Sequence, residues 1–279
     1  MKRLVALVLS IVLAGFLGAS LLRFAPGYGV DEAELDPRLG PDAIARLRQP
    51  DQGLFSFYAG FLTALARGDL GVSTSHGHPN SLLIAERCPV TLRSVGVGLL
   101  LAWIFAMTGA SLVVIFPSQR LDFLISAAAG SFLAVPATVL ALLFLYLEAG
   151  PAPAIAAVVF PKLFRYVRNL LMHCRELPHV VAARAKGLST SRTLVWHLLR
   201  PSAPQIITLA GLSVNTAITA SIPIEALCGS PGIGQLAWTA ALARDLPLLV
   251  VLTLLVAAAT ITANFVADAA ARCCAPEQA

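Results

Sequence analysis

Charge is scarce in this sequence. Asp, Glu, Lys and Arg together make up 13% of its 279 residues, about half the share of a soluble domain. That is too little to cover a water-facing surface, and it excludes an ordinary soluble protein and a solvated disordered chain alike. Cysteine is scarce as well. Five in the whole chain cannot staple a disulfide scaffold. Catalytic signatures are missing too. No G-x-x-x-x-G-K-[ST] phosphate cradle occurs, so any ATP hydrolysis has to come from another chain. No G-x-S-x-G, H-E-x-x-H or C-x-x-C is present, and the apolar runs hold no His or Asp to build a nucleophile–base pair. An enzyme is therefore not expected, and no motif implies a cofactor.

What the chain has instead is apolar length. Hydrophobic residues are 57% of it, and mean hydropathy is +0.79. About 20 apolar residues cross a bilayer as a helix, the form lipid requires because backbone groups must bond within their own segment. Six runs qualify: residues 4–22, 94–116, 123–147, 153–171, 205–226 and 246–266. The expected fold is all-α and polytopic. Its parts are a first span in 1–25, an outer segment in 26–91, a five-helix core in 92–272 and a tail in 273–279. The fourth run is the least apolar, because Pro161, Lys162, Arg165 and Arg168 fall inside it. The first has a rival reading as a cleavable signal peptide, since Lys2-Arg3 precede it and Gly18-Ala19-Ser20 close it.

Loop charge sets an orientation. Basic residues concentrate on the cytosolic side of membrane proteins. Lys2 and Arg3 place the amino terminus inside. Residues 31–87 then lie outside, with eight acids against five arginines. Residues 162–200 lie inside, with eight bases against Glu176 alone. This bias explains the net charge of +5 without nucleic acid.

Two pieces between the runs carry local structure. In the outer one, a short helix starts at Pro41, an amphipathic helix occupies 54–65 with Tyr58, Phe61, Leu62 and Leu65 on one face, and another short helix fills 81–87 before Pro89. In the inner one, Pro178 starts a helix rich in small residues, Gly187 stops it, and Ser189 caps a second helix over 190–200. A face of Ala182, Ala183 and Ala185 beside basic neighbours suits the close approach of another protein. It also suits an amphipathic helix lying among anionic headgroups.

A few residues have chemical character. Glu225 ends the fifth run, either as a functional ionisable group or as a loop cap reaching the interface. Asn215, Thr216 and Thr219, with Ser213 and Ser221, give that run a polar stripe, fit either to line a path or to bond neighbouring helices. Pro136 and Pro223 are candidate kinks. His76-Gly77-His78 is too sparse for a metal site, so none is expected. Cys88 and Cys228 fall on the outer side, where a bridge is permitted.

Three stretches resemble one family. Val181-Ala182-Ala183-Arg184-Ala185-Lys186-Gly187-Leu188-Ser189, followed by His197-Leu198-Leu199-Arg200, is similar to the cytoplasmic signature of ABC transporter permeases, most closely the dipeptide/oligopeptide/nickel branch. Glu225 and Ser230-Pro231-Gly232-Ile233-Gly234-Gln235-Leu236, then Arg244-Asp245-Leu246-Pro247, resemble that branch's outer loop. Arg67-Gly68-Asp69-Leu70-Gly71 and 83–92 resemble its segment before the second span. Val181 departs from the Glu of the broad signature, and Pro178-His179 from the branch's Asp-Tyr. The resemblance implies half of a solute path in an ATP-driven importer of the bacterial inner membrane. The coupling helix, about 178–190, would contact an ATPase through Ala182, Ala183, Arg184, Ala185, Lys186, Gly187 and Leu188. Glu225, Pro231, Gly232, Ile233 and Gly234 would form the outer-loop motif, and Asn215, Thr216 and Thr219 would face the path. Implied partners are a second permease subunit in a pseudo-two-fold heterodimer, two ATP-binding subunits, a periplasmic or lipid-anchored solute-binding protein and membrane lipid. The implied cargo is a peptide, with a nickel chelate as the lesser choice. A scaffold, or a secondary carrier with no ATPase, is the alternative; a carrier would need buried ion-coupling acids, which the runs nearly lack.

Overall fold

A computed structural model describes residues 54–274 together with residues 9, 12, 13, 15–17 and 20. The helix expected from Pro41, most of the run 4–22 and the tail from 275 lie outside the described residues. The described positions of that run are helical. The chain divides into two compact units, residues 1–86 with 239–258 and residues 87–238 with 259–279.

Among the described residues the regular elements are all helices, with one isolated bridge between Val72 and Pro79. In order they are α1 (Leu54–Ala66), α2 (Asn80–Ile115), α3 (Gln119–Ala134), α4 (Ala137–Tyr146), α5 (Pro151–Arg175), α6 (Pro178–Ala185), α7 (Thr190–Thr193, continuing as a π-helical turn Leu194–Leu199), α8 (Ala203–Leu227), α9 (Ile233–Leu242) and α10 (Leu246–Cys274). Three of them, α2, α8 and α10, are long and apolar enough to cross a membrane. They cover the expected runs 94–116, 205–226 and 246–266.

The remaining runs differ from the simple expectation in instructive ways. Run 123–147 is not one straight helix. It is α3 and α4, bent by 99°. Pro136 has no N–H to continue the ladder, and its ring drives Val135 out of the helical region to φ −86, ψ 128. Run 153–171 is the helix α5, and its charges are segregated. Ile155, Val159, Phe164, Val167 and Leu171 are buried, whereas Lys162, Arg165 and Tyr166 are exposed. The helix expected at 81–87 does not stop at Pro89. It merges into the 36-residue α2, which keeps Pro89 inside it and is about 54 Å long. The segment 228–245 also holds α9, a helix that the motif reading had left as loop.

In lipid, apolar side chains gain little by leaving the solvent, so helices are held by close packing and polar contacts. The larger unit shows both. Gly98, Ala102, Ala106 and Ala110 recur at every fourth position along α2, and the three alanines are fully buried. A Cβ on Gly98 would sit 2.7 Å from the Ala152 carbonyl and 2.9 Å from Ile155 Cβ on α5, so only glycine permits that approach. A Cβ on Gly211 would sit 2.6 Å from the Ala267 methyl, which seats α8 against the end of α10. Trp103 on α2 donates from Nε1 to Ser213 Oγ on α8 at 3.1 Å. Arg168 on α5 grips both oxygens of Asp122 at the start of α3. In the smaller unit Tyr58 on α1 packs with Leu246, Val250 and Leu254 and donates its hydroxyl to the Val12 carbonyl at 2.6 Å. Of the amphipathic face expected over 54–65, Tyr58, Phe61 and Leu62 pack in this cluster, whereas Leu65 is exposed.

Candidate functional site

The rod α6 is built from short-range rules. Pro178 occupies its first turn, where the missing N–H costs nothing. Val180 and Ala183, three apart, are buried and fix its inner face. The chain leaves it through Gly187 at φ +72, with the Gly187 amide donating to the Arg184 carbonyl and the Leu188 amide to that of Ala183. A Cβ at Gly187 would meet nothing within 4 Å; the requirement there is backbone conformation, not space. Ser189 then caps α7, its hydroxyl accepting from the Arg192 amide at 3.4 Å. Val181, Ala182, Arg184, Ala185, Lys186 and Gly187 are exposed and Leu188 is half-buried. Ala183 stands apart from the other expected contact residues. At 4% exposure it belongs to the packing of the rod on its own chain, because residues 180 and 183 share one side of the helix. Burial, then the Arg175 charge, holds the Arg184 guanidinium below its ordinary pKa.

The outer-loop motif folds into a buried network. Glu225 lies in the last turn of α8 and is 0% exposed. Its Oε1 accepts from Ser94 Oγ at 2.7 Å, and its Oε2 from Thr91 Oγ1 and the Gly234 amide, both at 2.9 Å. Thr91 Oγ1 in turn accepts from the Ile233 amide at 2.7 Å. Ile233 and Gly234 open α9, so the carboxylate sits where the free amides and positive end of that helix favour an anion. The two glycines follow from this. A Cβ on Gly232 would collide with the Glu225 carboxyl and lie 2.6 Å from Thr91 Oγ1; one on Gly234 would lie 2.7 Å from Ile222 Cα and 2.9 Å from Glu225 Oε2. Of the two readings of Glu225, loop capping fits the geometry, but the side chain turns inward instead of reaching the interface. Thr91 and Ser94 complete the site; no motif logic had linked them to Glu225, which lies more than a hundred residues away.

A second buried acid stood in the sequence only as a member of the motif 244–247, with no role of its own. Asp245, 0% exposed, precedes α10 and caps it, Oδ1 accepting from the Leu248 amide at 3.2 Å. Its Oδ2 takes the Ser73 hydroxyl at 2.5 Å, the Ser75 hydroxyl at 2.8 Å and the Ser75 amide at 3.0 Å. Burial pushes this carboxyl up, but the four hydrogen bonds outweigh it and leave the pKa below the usual carboxylate range. The loop they fasten, 71–80, is closed by the Asn80 amide on the Gly71 carbonyl and the Ser73 amide on that of His78. His76 Nδ1 lies 2.8 Å from Ser75 Oγ, which makes that imidazole part of the loop's own bonding.

The polar stripe of α8 divides. Ser213 and Ser221 are buried. Asn215 and Thr219 are exposed and Thr216 is half-buried. Thr216 and Thr219 donate to the carbonyls one turn back, Leu212 and Asn215, leaving acceptor lone pairs outward. Cys88 and Cys228 are both free thiols.

The family described as binding-protein-dependent transport system inner membrane component matches residues 96–278. The chain is 28% identical over 272 residues to the oligopeptide transport system permease protein OppB of Haemophilus influenzae, covering 89% of this chain and 88% of that protein. It is 26% identical over 260 residues to OppB of Escherichia coli K12, 85% of each, and 27% identical over 240 residues to AppB of Bacillus subtilis, 76% of each. Among solved structures it resembles a chain of the MetNI methionine ABC transporter in inward-facing conformations. The TM-score is 0.64 at 18% identity, over 70% of this chain and 98% of that one, a likeness of fold.

Proposed function

Because this chain belongs to the family of binding-protein-dependent transport system inner membrane components, we propose that it forms half of the path of an ATP-driven importer whose cargo is a peptide. Oligopeptide permeases are its relatives by name, and the exposed stripe of Asn215, Thr216 and Thr219 offers uncharged acceptors to a backbone-like solute. A second permease subunit completes the path, two separate ATPase subunits drive it, and a solute-binding protein delivers cargo from the outer side. The amino terminus lies in the cytosol, with the first span in 1–25, the outer segment in 26–91, the core in 92–272 and the tail in 273–279.

The rod α6 is the coupling element on this reading. The observation that carries it is the Gly187 stop. A helix anchored inward by Val180 and Ala183 presents Ala182, Arg184, Ala185 and Lys186 outward, and a left-handed residue holds the chain leaving it at a fixed angle. Small exposed residues let a partner's backbone approach, and a lever of this kind transmits motion only if its exit angle is stiff. Glu225 with Pro231, Gly232, Ile233 and Gly234 forms the outer brace that fixes α8 and α9 to α2.

The test is co-purification from membranes, followed by ATPase assay. A subunit bearing a phosphate-binding loop should accompany the chain. Its peptide-stimulated hydrolysis should fall when Ala182→Trp blocks the exposed face. Purification of the chain without any such subunit, at full transport activity, would favour a secondary carrier and end this reading.

A further inference from the structure

The residues just after the rod form a hollow that shares Leu188 with the expected coupling face and otherwise lies beyond it. Arg192, Trp196 and Arg200 are spaced four apart and share one side of α7 and its π-helical extension. The π turn is marked by the Arg200 amide, which donates to the Val195 carbonyl five residues back at 3.2 Å. Leu188, Arg192, Trp196 and His197 line an open hollow of about 490 Å3. The Arg200 guanidinium lies 5.3 Å from the centre of the Trp196 ring, and that ring is 56% exposed. No carboxylate pairs with Arg192 or Arg200 among the described residues, and Glu176 is the only acid between 162 and 200.

Depth in the membrane follows from α8. It starts at Ala203, three residues after Arg200, and its 25 residues run about 37 Å. That exceeds the roughly 30 Å hydrocarbon layer, so the residues leading into it lie at headgroup level. Exposed Trp196 and Val195 suit that depth, since indole rings favour the boundary between lipid and water. The charge bias of 162–200 assigns this side to the cytosol, where the leaflet is anionic. A protein partner would have to reach past these apolar side chains at the membrane surface. A lipid headgroup at that depth would not.

We propose that the hollow binds the phosphate of an anionic phospholipid headgroup, held by Arg192 from its lining and reached by Arg200 from its place over the Trp196 ring, with Trp196 packed against the glycerol. The assignment rests on the spans and not on the transport reading, so either can fail alone.

The experiment uses the full chain carrying W103F and W238F, which leaves Trp196 as the only tryptophan. It is placed in phosphatidylcholine nanodiscs containing a minor fraction of brominated phosphatidylglycerol or brominated phosphatidylcholine, and quenching of Trp196 is followed. The anionic lipid should be preferred by about fivefold for each arginine engaged. R192Q and R200Q should each remove about that factor, and R192K with R200K should keep most of the preference. Excess inorganic phosphate should leave the preference intact. Equal quenching by the two lipids, or a preference that survives R192Q with R200Q, overturns the proposal. Loss of the preference to inorganic phosphate would make this a free-anion site and overturn the lipid assignment. Trp196 unquenched by either lipid, but shielded from iodide in the assembled complex, would give the hollow to an acidic protein partner instead.

Discussion

Replacing Glu225 with leucine should be among the most damaging single changes in the chain, and the cost can be worked from its partners. Three donors converge on the carboxylate: Thr91 Oγ1, Ser94 Oγ and the Gly234 amide. The hydroxyls can rotate, and Ser94 already has the Thr91 carbonyl at 3.2 Å. The amide cannot turn. Leaving a buried donor unmet costs about 1–3 kcal/mol, more where a charged acceptor is lost, so Glu225→Leu should cost about 3–5 kcal/mol. Glu225→Gln keeps the shape and one carbonyl oxygen for the Gly234 amide and Thr91, and turns its NH2 to Ser94, which accepts. It should cost only about 1–2 kcal/mol. Thermal unfolding in detergent can be followed with a thiol-reactive dye, because Cys174 is buried at 8% exposure and reports opening of the larger unit. If leucine and glutamine were equally mild, or glutamine the worse, the brace would not be held by these donors.

Gly187→Val should lower coupled ATPase activity while Gly187→Asn retains it, since the position needs φ +72 and Asn tolerates that region whereas a β-branched residue pays about 1–2 kcal/mol; the assay is peptide-stimulated hydrolysis in the reconstituted complex. Asp245 has a lowered pKa in the folded chain, so its stabilising contribution is present above the unfolded value of about 3.9 and is lost only as pH falls through the lower folded value. Hydrogen exchange at the Ser75 and Leu248 amides should therefore stay slow at pH 5 and quicken only below about pH 4, and quickening between pH 5 and 6 would contradict the hydrogen-bond account. Asp122→Asn should cost no more than about 1 kcal/mol by the same unfolding assay, because the pair with Arg168 is about a quarter exposed on each side and solvent screens it.

The sequence made the helices legible because lipid leaves few alternatives. Long apolar runs have to be helices, and α2, α8 and α10 follow. The stop at Gly187 and the cap at Ser189 were legible too, since both are decided by neighbours within one turn. What the sequence hid depends on distance. Thr91 and Ser94 look like ordinary hydroxyls in an apolar run until Glu225 arrives from 134 and 131 residues away. Ser73 and Ser75 read as loop residues until Asp245 is buried beneath them. The bend at Pro136 was visible as a possibility, but its 99° depends on which neighbours the two halves pack against. The burial of Ala183 was hidden because a run of small residues gives no periodicity; only the larger Val180, one turn back, marks the inward side.

The two buried acids share a design that separates them from path-lining or ion-coupling groups. Glu225 and Asp245 bound the loop 228–245, one at each end, and each belongs to a different unit. Each sits beside a helix start, taking the free amides there, and each finds its remaining donors on serine or threonine. A carboxylate so enclosed has its lone pairs committed, and binding a cargo ion would require breaking several charge-assisted bonds of about 1.5–3 kcal/mol each. A coupling acid has to change partners within each cycle, whereas these do not have the freedom to do so. Placed at the two ends of one loop, they act as fasteners. On the proposed reading the energy that moves the helices enters elsewhere, and the exposed rod before Gly187 is the surface proposed to receive it.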